Sequence, residues 1–96
     1  MNRPEALPAA PSAAPTGVDR VLDTVGLYCP IPIVRTGEAM RGMRRGERLE
    51  ILSDDRVILI DLPAWCRAHG HEYEGACEEE EGVWRLRVRK AGRETA

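Results

Sequence analysis

A two-layer α/β (α+β) sandwich is the predicted fold, ordered β-α-β-α-β-β with both helices on one face of the sheet. Three observations predict it. Two stretches with helical spacing of apolar residues, one beginning at Ile31 and one at Ile58, alternate with short strand-like runs. The last third alternates polar and apolar side chains around Glu81-Gly82, the pattern of a hairpin. The strands are polar on one side only, so one sheet face can meet water while the other takes the helices.

Met1 to Gly17 hold four of the seven prolines and five alanines, so this stretch is expected to be a flexible tail (residues 1–17) that buries little apolar surface. A signal peptide is the rival reading, but Arg3 is its sole basic side chain and prolines interrupt every apolar stretch. The folded domain is expected over residues 18–91, with a short C-terminal tail at 92–96. Asp19 to Thr24 reads as a strand stopped by Gly26. Ile31 to Met43 reads as a helix, with Ile33, Thr36, Gly37, Met40 and Met43 on one stripe and Arg35, Glu38 and Arg41 on the other. Gly37 in mid-helix costs about 1 kcal/mol relative to alanine, which points to close helix–sheet packing. Arg44-Arg45-Gly46-Glu47 closes the helix, with the glycine as a left-handed cap.

Arg48 to Leu52 is the second strand, and Asp54 and Asp55 offer N-caps to the second helix. Ile58, Leu62, Trp65, Cys66 and His69 form the stripe of that helix, ended by Gly70. Pro63 is expected to open the main helix after a preliminary turn. In the hairpin, His71, Tyr73, Gly75 and Cys77 alternate with Glu72, Glu74, Ala76 and Glu78. Trp84, Leu86 and Val88 alternate with Arg85, Arg87 and Arg89. Acidic and basic outer faces of neighbouring strands are thus expected to pair; the run Glu78 to Glu81 is a solvated tip.

Composition removes whole classes of function. The chain has 96 residues with a formal charge of −2, too short for two domains and not basic as a dedicated nucleic-acid binder is. No apolar run reaches the roughly 18–20 residues of a membrane helix. The three cysteines, Cys29, Cys66 and Cys77, are odd in number and never two to four residues apart, against both a disulfide framework and a zinc knuckle. No metal site is expected; His69 and His71 are read as structural or surface residues. Unpaired cysteines and the lack of a signal point to the reducing cytoplasm.

One tetrapeptide carries the chemistry: Cys29-Pro30-Ile31-Pro32. Proline is tolerated in the first helical turn, where its missing N–H costs nothing. Cys29 therefore lies at or just before the N-cap, facing the positive helix end and its free N–H groups. That setting is expected to favour thiolate over thiol. An exposed thiolate without an adjacent cysteine can accept sulfur and hold it, but cannot close a disulfide locally. Cys66 and Cys77, on apolar faces, are expected in the core.

Leu22-Asp23-Thr24-Val25-Gly26-Leu27-Tyr28-Cys29-Pro30-Ile31-Pro32, with Ser53-Asp54-Asp55, Asp61-Leu62-Pro63-Ala64-Trp65-Cys66 and Gly70-His71-Glu72, resembles the TusA/SirA family of small sulfur carriers over about residues 19–90. The resemblance implies a four-stranded mixed sheet with two helices. It also implies a transient persulfide on Cys29, no bound cofactor, and Gly26, Pro30 and Pro32 as motif support. The implied partners are a cysteine desulfurase or other donor protein and an acceptor protein, feeding tRNA thiolation, molybdenum-cofactor chemistry or sulfur oxidation. Family members often carry basic residues where this chain has Val25 and Tyr28; two positive charges that could stabilise a thiolate are therefore missing, which leaves the helix end as the main candidate, keeps the nucleophile and bears on partner choice. The outward side chains Arg35, Glu38 and Arg41 are the expected docking surface, with no direct nucleic-acid contact and no membrane span. Alternatives from other classes are a non-catalytic interaction module of the same fold, and a thiol redox protein using Cys66 or Cys77 to resolve. A sulfur-relay carrier is expected rather than a stand-alone enzyme, because the sequence around Cys29 shows neither a base nor an oxyanion donor set.

Overall fold

The computed structural model describes residues 17–91; the expectations for the tails at 1–16 and 92–96 lie outside them. The elements are β1 (Arg20–Asp23), α1 (Ile31–Arg41), β2 (Arg48–Ser53), α2 (Ile58–His69), β3 (Glu72–Glu80) and β4 (Val83–Arg89). The sheet runs β1-β2-β4-β3, with β1 parallel to β2 and the other two pairs antiparallel. This is the expected β-α-β-α-β-β order in a mixed four-stranded sheet.

The alternation along each strand decides which face is buried. Leu49 and Ile51 of β2 and Leu86 and Val88 of β4 are fully buried beneath the helices. They pack with Ala39, Met40 and Met43 from α1 and its C-terminal loop, and with Ile58, Leu62 and Cys66 of α2. The intervening residues form the other face. There Glu50, only 5% exposed, accepts hydrogen bonds from Arg85 (3.3 Å) and Arg87 (3.2 Å). Arg48 pairs with Glu74, and Arg89 with Glu72. The expected cross-strand pairing of acidic and basic side chains is therefore present.

Several local expectations are corrected. α1 ends at Arg41, two residues before the expected Met43, with Gly42 as its C-cap; Gly46 has φ +89° but belongs to the turn into β2. Gly37 opens space towards Trp65 of the neighbouring helix: a Cβ there comes within 3.8 Å of its Cζ2. The close approach is helix on helix, not helix on sheet. Pro63 lies inside an unbroken α2 rather than opening it. Ile58 and Leu62 before the proline and Cys66 after it are anchored in the same core, which outweighs the lost backbone bond.

Cys77 is exposed, against the expectation of core. The cause is a bulge. Tyr73 pairs with Val88, but after the irregularity at Gly75 (φ +115°) Ala76 pairs with Leu86 and Cys77 with Arg85. One extra residue reverses the alternation, so Cys77 joins the arginines on the helix-free face. It lines a shallow concavity of about 530 Å³ there, with Arg48, Glu50, Glu74, Arg85 and Arg87.

Candidate functional site

The loop between β1 and α1 is built from short-range turns and then clamped from outside. Thr24 leaves the sheet with both its N–H and its Oγ1 donating to Leu52 O, at 2.8 and 2.6 Å. Asp23 Oδ1 accepts from Val25 N–H at 3.0 Å, and Leu27 N–H donates to Thr24 O at 3.0 Å. Gly26 has φ +90°, a left-handed conformation that favours glycine. Its N–H donates to Asp54 Oδ1 at 3.0 Å.

Cys29 comes next, at the head of α1. Its N–H donates to Asp55 Oδ2 at 2.8 Å, while Asp55 Oδ1 accepts from Val57 N–H at 3.1 Å. Asp54 and Asp55, expected as N-caps, thus serve mainly to tie the Cys29 loop to the start of α2, whose N-cap is Val57. Pro30 is the N-cap of α1, and the Cys29–Pro30 peptide is cis. Pro32 is buried, and its carbonyl accepts from Thr36 Oγ1 at 2.8 Å. Both motif prolines thus lie at the start of α1, Pro30 as its N-cap and Pro32 buried in its first turn.

The thiol itself is exposed, and it donates to Asp61 Oδ2 at 3.5 Å. This corrects the expected electrostatics. Partial desolvation, the hydrogen bond to Asp61, and the charges of Asp61 and Asp55 together hold the Cys29 pKa above the usual thiol value. The helix end supplies only a partial positive charge. Two nearby carboxylates favour the neutral thiol instead. Asp61, in the first turn of α2, lies where a helix terminus favours an anion.

The elements that build this polar centre also carry an apolar collar. Val25 and Tyr28 of the loop, Ile31 and Val34 of α1, and Val57 and Ile60 at the start of α2 are all exposed. They are six of the seven exposed large hydrophobic side chains among the described residues; Tyr28 is 62% and Ile60 74% exposed. Such clustering marks an interaction site rather than chance exposure. Arg35, Glu38 and Arg41 are exposed along α1, Arg35 next to Val34 in the collar.

The other candidates lie elsewhere. Cys66 is 1% exposed in the core, where burial pushes its pKa up to about 11. His69 and His71 pack against Trp65, and His71 Nδ1 accepts from Ala91 N–H at 3.2 Å. Among the described residues, no group of three or more His, Cys, Asp and Glu side chains is disposed to hold a metal ion. No helix among them is long and apolar enough to cross a membrane. Asp61 is the site residue that sequence reasoning missed. Its Asp-Leu-Pro context was visible, but its contact with Cys29 spans 32 positions and leaves no local mark.

Comparisons with known proteins find a family, sequence relatives and a structural neighbour. The model of the family described as sulfurtransferase TusA matches residues 20–90. Two proteins of Bacillus subtilis (strain 168), whose names describe sulfur carriers, are similar in sequence. YrkF is 46% identical over 72 residues, 75% of this chain but 38% of YrkF. YrkI is 46% identical over 54 residues, 56% of this chain and 72% of YrkI. A SirA-like protein of Desulfitobacterium hafniense superposes with a TM-score of 0.68 at 23% identity, covering 76% of this chain and 99% of that one.

Proposed function

The chain belongs to the TusA sulfurtransferase family, and from that premise we propose that it carries sulfane sulfur as a persulfide on Cys29. In this reading it takes sulfur from a donor protein, such as a cysteine desulfurase, and yields it to an acceptor protein. The downstream use is sulfur incorporation into tRNA, molybdenum-cofactor chemistry or sulfur oxidation. One observation supports the reading above the rest: an exposed thiol whose loop and neighbouring helix ends also carry an exposed apolar collar. Apolar surface at this density suits transient docking of protein partners.

Two features favour a carrier over its alternatives. A thiol redox protein needs a second cysteine within reach, whereas Cys66 is sealed in the core and Cys77 lies on the helix-free sheet face. A non-catalytic interaction module has no use for a cysteine presented at the head of a helix by two carboxylate clamps. The cytoplasm suits a carrier that depends on a free thiol.

The test is intact mass after incubation with a cysteine desulfurase and cysteine. A gain of about 32 Da per sulfur, removed by a thiol reductant, is the expected result for a persulfide. An unchanged mass across desulfurases and persulfide donors contradicts the reading.

A further inference from the structure

The carboxylate of Asp61 is the group that receives the Cys29 S–H. Resting on the carrier reading above, we propose that Asp61 is a catalytic residue that makes transfer depend on docking. It keeps Cys29 as a hydrogen-bonded thiol in the free carrier and accepts the Sγ proton when a donor protein is seated.

The geometry separates Asp61 from its neighbours. Asp55 spends one carboxylate oxygen on Cys29 N–H and the other on Val57 N–H. Asp54 accepts from Gly26 N–H, and Asp23 from Val25 N–H. These three hold backbone, while Asp61 Oδ2 receives the S–H itself at 3.5 Å. The charged groups acting on Cys29 are thus Asp61 from α2 and Asp55 from the loop before it, both anionic. They oppose ionisation, so the thiol must surrender its proton at the moment of attack.

The collar determines what can take that proton. In the free carrier, water reaches Cys29 and suffices. A protein seated on Val25, Tyr28, Ile31, Val34, Val57 and Ile60, exposed on the loop that carries Cys29, on α1 and at the start of α2, displaces that water. Asp61, next to Ile60, remains as a built-in acceptor.

The step balances without an outside oxidant. As Asp61 takes the proton, Sγ attacks the outer sulfur of a donor persulfide R–S–SH. The new Sγ–S bond forms and the donor S–S bond breaks, its electron pair going to the donor cysteine. That thiolate receives the proton held by Asp61. The sum is Cys29–SH plus R–S–SH giving Cys29–S–SH plus R–SH, with the moved sulfur at the same oxidation level.

The test sets two donors and one electrophile against Asp61→Asn, which retains shape but not charge, with Asp61→Glu as rescue. Iodoacetamide, which reads thiolate, is expected to alkylate Cys29 of the Asn variant about threefold or more faster than wild type at neutral pH. The small donor glutathione persulfide, reaching a wet site, is expected to load it at least as fast as wild type. A cysteine desulfurase that loads the wild-type chain from cysteine is expected to load the Asn variant about tenfold or more slower, and Asp61→Glu to recover much of the loss. Equal loading of Asn variant and wild type by the desulfurase overturns the proposal. So does a loss shared by all three reagents, which is the mark of a merely structural role. A wild-type chain that no donor loads removes the carrier reading itself, and the proposal with it.

Discussion

At the scale of single residues, the three cysteines differ by environment rather than by neighbours in sequence. Cys29 and Cys77 are exposed, and Cys66 is buried. Alkylation of the native protein is therefore expected to modify Cys29 and Cys77 and to spare Cys66, as peptide mapping reads it. The Cys29 rate carries a further signature. Desolvation, the Asp61 hydrogen bond and the two carboxylate charges raise its pKa, so the thiolate is scarce at neutral pH. Its alkylation rate is expected to keep climbing with pH beyond the point where an ordinary thiol levels off. A rate already level at neutral pH contradicts the carboxylate account of this site.

At the scale of elements, legibility depended on whether a residue's fate is decided locally. The alternations Leu49, Ile51 and Leu86, Val88 are period-two patterns, and the sheet buries those residues as the pattern implies. Glu72 and Arg89 face each other for the same reason. Cys77 escaped because a bulge inserts one residue at Gly75, and a period-two reading cannot see where the count slips. The exposed position of Cys29 at the head of α1 was legible from Cys-Pro-x-Pro in its strand-to-helix context, whereas its electrostatics were not. The helix end is a local feature, but Asp55 and Asp61 come from positions 26 and 32 residues away. Asp54 and Asp55 looked like caps because capping is the local use of such residues.

Gly37 supplies an element-scale prediction. A Cβ at this position meets Trp65 at 3.8 Å, ordinary van der Waals contact, in a mid-helix site without positive φ. Gly37→Ala is expected to stabilise the fold by about 0.5–1 kcal/mol through helix propensity, read as a higher Tm. A lowered Tm shows that α1 and α2 pack too closely for a methyl group.

At the scale of the whole molecule, the sheet's two faces and its loop end divide the work. The helix-covered face holds the core. The bare face is closed by the network of Glu50 with Arg85 and Arg87. The loop end presents sulfur within an apolar collar, flanked by the charges of α1. Arg35→Glu is expected to slow loading from a protein donor in a salt-dependent way, leaving Tm and alkylation by a small reagent unchanged, since rim charges govern encounter. Ile60→Asp is expected to weaken the same loading with little salt dependence, because it spoils apolar contact. Unaltered loading of both variants places docking elsewhere on the molecule.

The central claim is that Cys29 carries the sulfur, and it is tested most directly by locating the persulfide in the loaded protein. The wild-type chain and Cys29→Ser are each incubated with a cysteine desulfurase and cysteine, trapped with an alkylating agent, digested and mapped. The account predicts added sulfur on the peptide containing Cys29, none on those containing Cys66 or Cys77, and an unloaded but folded Cys29→Ser. Sulfur on the Cys77 peptide in place of Cys29, or loading that persists in Cys29→Ser, contradicts it.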